Sequence, residues 1–262
     1  MTHIVSESDG PIGIITLNNP TKHNAFDDTL IADLTTALKG HDVDDAVRVV
    51  VISAAGESFS AGADLTWMKR AAANTDAANL RDAMALATLM KTLATLGKPT
   101  IARVQGAAYG GGVGLVACCD IAVASWAATF SLSEVKLGLA PAVISPYVIA
   151  AMGERNARRY FLSAEKFDAA EAYRIGLIHE VAPSIDAMDD KINDICTALL
   201  AGGPEAQRAT KDLIAAVANR PVNDELIADT AARIARLRAS AEGREGIAAF
   251  LEKRKPSWTR ES

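Results

Sequence analysis

Three short segments of this chain combine residue types that could do chemistry. The first is Phe59-Ser60-Ala61-Gly62-Ala63-Asp64-Leu65. The second is Gly106-Ala107-Ala108-Tyr109-Gly110-Gly111-Gly112-Val113-Gly114. The third is Phe130-Ser131-Leu132-Ser133-Glu134-Val135-Lys136-Leu137-Gly138-Leu139-Ala140-Pro141. Small residues in the first two let the backbone approach a ligand closely. Each of these two follows a predicted strand and precedes a predicted helix. The first N–H groups of a helix have no partner inside it and favour negative charge. Two such turns brought together would aim two backbone N–H donors at one oxygen, forming an oxyanion hole. Losing one such donor typically costs about 3–4 kcal/mol of barrier. Glu134 stands among apolar residues, where desolvation would poise a carboxylate as acid or base. The residues alone support equally a solvated glutamate paired with Lys136.

A glycine-rich turn is common in α/β chains, so the triple glycine alone reads more often as structural. Its spacing is not the dinucleotide pattern GxGxxG, and no GK[ST] follows to make a phosphate loop. The absence of GxSxG argues against a serine hydrolase. His3, His23, His41 and His179 lie in predicted loops or at segment ends, with no nucleophile motif nearby. Cys118, Cys119 and Cys196 have no metal-ligand spacing, so neither a metal site nor a disulfide framework is expected. The basic run Lys253-Arg254-Lys255 could meet phosphate, although such a run near a terminus is usually a solvated face.

These residues need a scaffold, and the composition supplies one. Of 262 residues, half are hydrophobic, enough to bury a large core. The net charge of -5 argues against general nucleic-acid binding. The apolar run near 107–124 is broken by glycines and Asp120, which excludes a membrane helix there. Without a signal-like or Arg-rich N-terminus, the expected location is the cytoplasm. A hairpin is predicted from Ile4-Val5, Asp9-Gly10-Pro11 and Ile12 to Leu17. A helix should run from about Asp27 to Leu38, capped by Asp27 or Asp28. Val47 to Ile52 reads as a buried strand, Leu80 to Leu96 as a helix, Thr100 to Val104 and Ile121 to Ala124 as strands. From Ile144 onward the pattern is nearly all helix: Pro146–Met152, Glu154–Leu162, Asp168–Ile175, Ile185–Leu200, Pro204–Ala218, Asp224–Leu237 and Glu242–Lys253. One strand-like piece, Leu177 to Val181, interrupts it. The alternation points to an α/β core with parallel strands, residues 1–195, followed by a helical region, residues 196–262.

The three segments, in this order and spacing, resemble the crotonase (enoyl-CoA hydratase/isomerase) superfamily. The likeness extends from Asn18-Asn19-Pro20-Thr21-Lys22-His23-Asn24-Ala25 to Ala248-Ala249-Phe250-Leu251-Glu252-Lys253-Arg254-Lys255-Pro256. It implies a spiral of ββα units with C-terminal helices that build homotrimers, often paired into hexamers. It implies an acyl-CoA thioester substrate whose coenzyme A is part of the substrate, with no separate cofactor. The N–H groups of Ala63 and Gly111 would hold the thioester oxygen, and Glu134 would be the acid/base. Lys22, Ala25 and Ala61 would line the CoA path, with Asp64, Leu65 and Gly110 among the substrate-binding residues. The terminal basic cluster would reach the CoA phosphates. Familiar hydratases of this family resemble one another in a glutamate three residues after the second oxyanion glycine; this chain has Gly114 there. A single-glutamate arrangement is seen among isomerases of the family, which makes 3,2-enoyl-CoA isomerase the main alternative. A non-catalytic acyl-CoA or RNA-binding relative is the weaker one. The stretches VGLVACCDIAVAS, FSLSEVKLGLAPAVISPYVI and RRYFLSAEKFDAAEA look most like a bacterial branch that hydrates methylglutaconyl-CoA and related branched thioesters. Hydratase is therefore the favoured expectation, with Ser145, Tyr147 or the substrate's own carboxylate as helpers to Glu134.

Overall fold

The computed structural model describes residues 3–259. The chain opens with a hairpin: β1 (Ile4–Asp9) pairs antiparallel with β2 (Ile12–Leu17). β3 (Val49–Ala54) and β4 (Thr100–Val104) then add in parallel. The short β5 (Ala108–Tyr109) leaves for a second sheet, and β6 (Ile121–Ser125) returns to pair parallel with β4. β7 (Thr129–Ser131) and β8 (Phe167–Asp168) complete the small sheet, in the order β5-β7-β8. β9 (Glu180–Ala182) closes the large one, whose order is β1-β2-β3-β4-β6-β9.

The helices are α1 (Asp28–Val43), α2 (Leu65–Ala73), α3 (Asp76–Ala94), α4 (Gly111–Cys118) and α5 (Ser145–Ser163). They continue with α6 (Ala169–Arg174), α7 (Ile185–Leu200), α8 (Pro204–Val217), α9 (Asp224–Ala239) and α10 (Ala241–Leu251). β3 shows why the sequence folds this way. Its residues are all buried because both sheet faces are covered. Val50 and Ile52 join the main core with Leu34, Leu89, Leu93 and Leu115. Val49 and Val51 face the other way, with Ile101 and Val123, onto Met188, Ile192 and Cys196 of α7. Each such aliphatic side chain contributes about 1.5–3 kcal/mol by leaving water.

The expected elements are present, with informative differences. Asp27 caps α1, accepting from the Leu30 N–H at 2.8 Å. The two helices expected across 146–162 form one run, α5, interrupted at Gly153, whose φ of 78° and ψ of 155° are not helical. The strand expected at Leu177–Val181 is displaced to β9, because Leu177 and Ile178 are core residues of a turn and pairing starts where Glu180 meets Val123. α2 was not expected as a separate helix, and α3 starts at Asp76, capped by Thr75, before the predicted Leu80. His41 was expected at a segment end; it is buried within α1 and bonds Ser6 Oγ at 2.9 Å. All three cysteines are buried free thiols. No helix among the described residues is long and apolar enough to cross a membrane.

The C-terminal helices are tied to the sheet by polar anchors. Lys211 of α8 reaches Asp120 at 2.6 Å and the Lys98 carbonyl at 3.0 Å. Asp120 Oδ2 in turn accepts from the Thr100 N–H at 2.8 Å and its hydroxyl at 2.9 Å. Apolar side chains of α9 and α10, including Ile227, Ile247, Phe250 and Leu251, stay exposed.

Candidate active site

The site is built by three loops that lie far apart in sequence. Asn24 organises the first. It is fully buried, donates from Nδ2 to the carbonyls of Ala55 and Ser58 at 2.9 Å, and accepts from the Asn19 N–H at 2.8 Å. Its φ of 52° is one that asparagine tolerates better than most residues. Next to it, Phe26 bonds in parallel fashion to the first glycine turn: its N–H donates to Gly62 O at 2.6 Å, and its carbonyl accepts from Asp64 N–H at 2.8 Å. In such a bridge the residue between the two partners points its own amide the other way. That residue is Ala63.

Asp64 fixes the start of α2. Its Oδ1 accepts from the N–H groups of Thr66 at 2.8 Å and Trp67 at 3.0 Å, and its Oδ2 meets Lys22 Nζ at 2.9 Å. The hydrogen bond from Lys22, with the Trp67 N–H next, holds the Asp64 carboxyl below its ordinary range. Lys22 and Asp64 are therefore partners of each other. Ala25 is buried, while Ala61 and Leu65 are exposed beside the turn.

The second turn lies on the first. Ser60 donates its N–H to Ala107 O at 3.0 Å and accepts from the Tyr109 N–H at 2.8 Å. Gly110 then turns the chain into α4 with φ 48° and ψ -114°, a conformation dominated by glycine. A Cβ at Gly110 would lie 3.9 Å from Gly62 Cα, and one at Gly111 would lie 3.3 Å from the Phe26 ring. Phe26 thus contacts both turns. The N–H groups of Gly62, Asp64, Gly110 and Gly114 are all engaged, to Ser60 Oγ, Phe26 O, Ser131 O and Gly110 O. Among the described residues, no hydrogen bond uses the N–H of Ala63 or of Gly111. Two free donors sit on adjoining turns.

Glu134 completes the site. A Cβ on Gly110 would stand 3.1 Å from Glu134 Oε1. Its other carboxylate oxygen is buried without a hydrogen-bond partner. Burial pushes its pKa up, opposed in part by its own backbone N–H. The alternative pairing with Lys136 does not occur: Lys136 Nζ donates to Ala164 O at 2.9 Å. A desolvated carboxylate beside two unengaged N–H donors can move a proton at a carbon next to a polarised carbonyl.

The other expected helpers have their own local settings. Ser145 Oγ donates locally to Ala142 O at 2.8 Å. Tyr147 is half-buried, and burial pushes its hydroxyl pKa up. Arg254 of the terminal basic cluster is held by Glu245 at 2.6 Å and Glu252 at 2.7 Å. Sequence reasoning missed Phe26, which links the turns, and Ile144, which packs over Gly114. A lone aromatic two residues after Asn24 offered the only signal for the former. The latter had none.

Residues 7–261 match the family model described as enoyl-CoA hydratase/isomerase. The chain is similar to the crystal structure of an enoyl-CoA hydratase from Shewanella pealeana, with a TM-score of 0.95 and 43% identity, covering 98% of this chain and 96% of that one. It is 35% identical over 248 residues to the mevalonyl-coenzyme A hydratase of Aspergillus fumigatus, covering 94% of this chain and 90% of that protein. It is 30% identical over 262 residues to the crotonyl-CoA hydratase of Syntrophomonas wolfei, covering 98% and 97% respectively.

Proposed function

The chain belongs to the enoyl-CoA hydratase/isomerase family, and within it we propose that this protein is a hydratase adding water across the 2,3 double bond of an enoyl-CoA thioester. The observation that carries the reading is Glu134, whose carboxylate lies beside Gly110 with one oxygen buried and unpartnered. The N–H groups of Ala63 and Gly111 would bind the thioester oxygen. That polarisation makes Cβ electrophilic and stabilises the enolate formed on attack. Glu134 would take a proton from water as the water oxygen bonds to Cβ. It would then return that proton to Cα as the enolate collapses. Ala61, Leu65 and Ala25 would flank the pantetheine path, with Lys22 and Asp64 holding the first turn in place. Coenzyme A is part of the substrate in this scheme.

A branched glutaconyl-type thioester, such as 3-methylglutaconyl-CoA, is the substrate class we propose, because the segment around Gly114 resembles hydratases of such compounds. One observation favours a second reading. No carboxylate stands at 114, so Glu134 could instead shuttle a proton between carbons as a 3,2-enoyl-CoA isomerase. We further propose a trimer, or a pair of trimers, assembled through residues 196–262. The exposed Phe250 and Leu251 support that assembly. The test measures turnover of crotonyl-CoA and 3-methylglutaconyl-CoA by wild type and Glu134→Ala. Formation of 3-hydroxyacyl-CoA that disappears in the variant supports the hydratase. Conversion of a 3-enoyl-CoA without a 3-hydroxy product supports the isomerase. Unchanged turnover in the variant removes Glu134 from the mechanism.

A further inference from the structure

The space beside Gly114, where the family resemblance would set a second carboxylate, is filled. A Cβ at Gly114 would lie 2.3 Å from Ile144 Cγ2, 3.0 Å from Ile144 Cβ and 3.1 Å from Met90 Cε. Helical side chains lean toward the helix N-terminus. Any side chain at 114 would therefore project over the turn formed by Gly110 and Gly111. Ile144 and Met90 hold that volume, at 2% and 0% exposure. Ile144 also has a place in the chain that matters. It ends the span that begins at Glu134, and residues 136–140 of that span are exposed. The span is folded on itself, with Leu139 N–H donating to Glu134 O at 3.0 Å. Its N-terminal end is fixed by the buried Phe130, Ser131 and Leu132; its C-terminal end is fixed where Ile144 enters the core.

We infer that Ile144 is a positioning residue: docked on Gly114, it fixes the span that presents Glu134 and closes, with Met90, the place a second carboxylate would occupy. The inference rests on Glu134 being the acid/base. Glycine at 114 is then the condition for this closure. A site arranged this way works with one carboxylate, and the side of α4 one turn beyond Gly110 is apolar.

The full-length protein would be prepared as Gly114→Ala, Ile144→Ala, the double variant and Ile144→Val. Each would be measured for kcat and KM on crotonyl-CoA. Each would also be followed by infrared titration of the Glu134 carboxyl, identified by its loss in Glu134→Gln. Gly114→Ala is expected to lower kcat by roughly 10- to 100-fold, because a misplacement of about 1 Å can cost that much, with KM little changed. Its Glu134 midpoint should fall toward the ordinary glutamate value. The double variant should regain both properties, since Ile144→Ala removes the 2.3 Å contact and leaves the 3.0 Å one. Ile144→Val, which keeps Cγ2, should behave as wild type. Wild-type kcat and an unmoved titration in Gly114→Ala overturn the inference, as does a double variant no better than the single. If Gly114→Ala does not fold, Ile144→Ala decides: a folded protein with wild-type kcat and titration overturns the inference. If wild type hydrates no enoyl-CoA, the proposed function fails, and the infrared titration alone still decides the role of Ile144.

Discussion

Replacing Gly110 by alanine should separate the oxyanion donors from mere turn geometry. Gly110 has φ 48° and ψ -114°. An alanine there would carry strain of about 1–3 kcal/mol. Its Cβ would also press to 3.1 Å from Glu134 Oε1 and 3.9 Å from Gly62 Cα. Rotation of the peptide joining 110 to 111 would relieve that strain and would turn the Gly111 N–H away from the thioester oxygen. Loss of one oxyanion donor costs about 2.7–4 kcal/mol, or roughly 10²–10³ in kcat. The strain should lower the melting temperature by roughly 2–12 °C, at about 2–4 °C per kcal/mol for a chain near this size. The assay is loss of the conjugated enoyl-thioester absorbance, with thermal unfolding on the same samples. Gly10→Ala is the control. Gly10 has φ 54° with nothing within 4 Å of an added Cβ, and it lies in the β1–β2 turn. It should lose stability and keep its kcat. A Gly110→Ala protein that is less stable yet turns over within about threefold of wild type would refute the donor role of Gly111.

Asp64→Ala should cost about 0.5–2 kcal/mol of stability by uncapping α2, read as a lower urea midpoint. Because Lys22 holds the Asp64 carboxyl below its ordinary pKa, the stability it contributes is present above the unfolded value and lost as pH falls through the folded one. The wild-type-to-variant difference in unfolding free energy should therefore shrink on acidification. Glu134 has the opposite sign: burial raises its pKa, so the base form appears at higher pH than for a free glutamate. The acid limb of the kcat/KM profile should be displaced upward accordingly and vanish in Glu134→Gln. That variant should also be the more thermostable protein at alkaline pH, with the difference fading below the ordinary glutamate pKa. Phe250→Asp with Leu251→Asp should reduce the mass measured by analytical ultracentrifugation; an unchanged mass would place the subunit contact elsewhere.

The pattern of apolar residues made much of the fold legible. The run Val47 to Ile52 announced a buried strand, which the structure sets two residues later at Val49–Ala54, and Asp27, Ile185 and Pro204 marked helix starts that the structure keeps. The strand near residue 180 was displaced because Leu177 and Ile178 are apolar for the sake of a buried turn, which looks the same in sequence as a strand. The glycine turns were visible as turns, and their meeting followed from parallel pairing in β3, β4 and the β5 sheet. Whether Glu134 was paired was not legible. The partner that removes Lys136 is the carbonyl of Ala164, 28 residues away. The filling of the Gly114 position was hidden for the same reason, since Met90, Gly114 and Ile144 come from separate segments brought together only by packing.

The central claim is that Glu134 moves the proton when water adds to the enoyl thioester. Wild type and Glu134→Gln should be incubated with a 2-enoyl-CoA in oxygen-18 water, and the product followed by mass spectrometry. The account predicts one labelled oxygen in a 3-hydroxyacyl-CoA from wild type, formed roughly 10²–10⁴-fold more slowly by the variant, with thioester binding retained. A wild-type product without the label, or a variant that forms the labelled product at the wild-type rate, would contradict it.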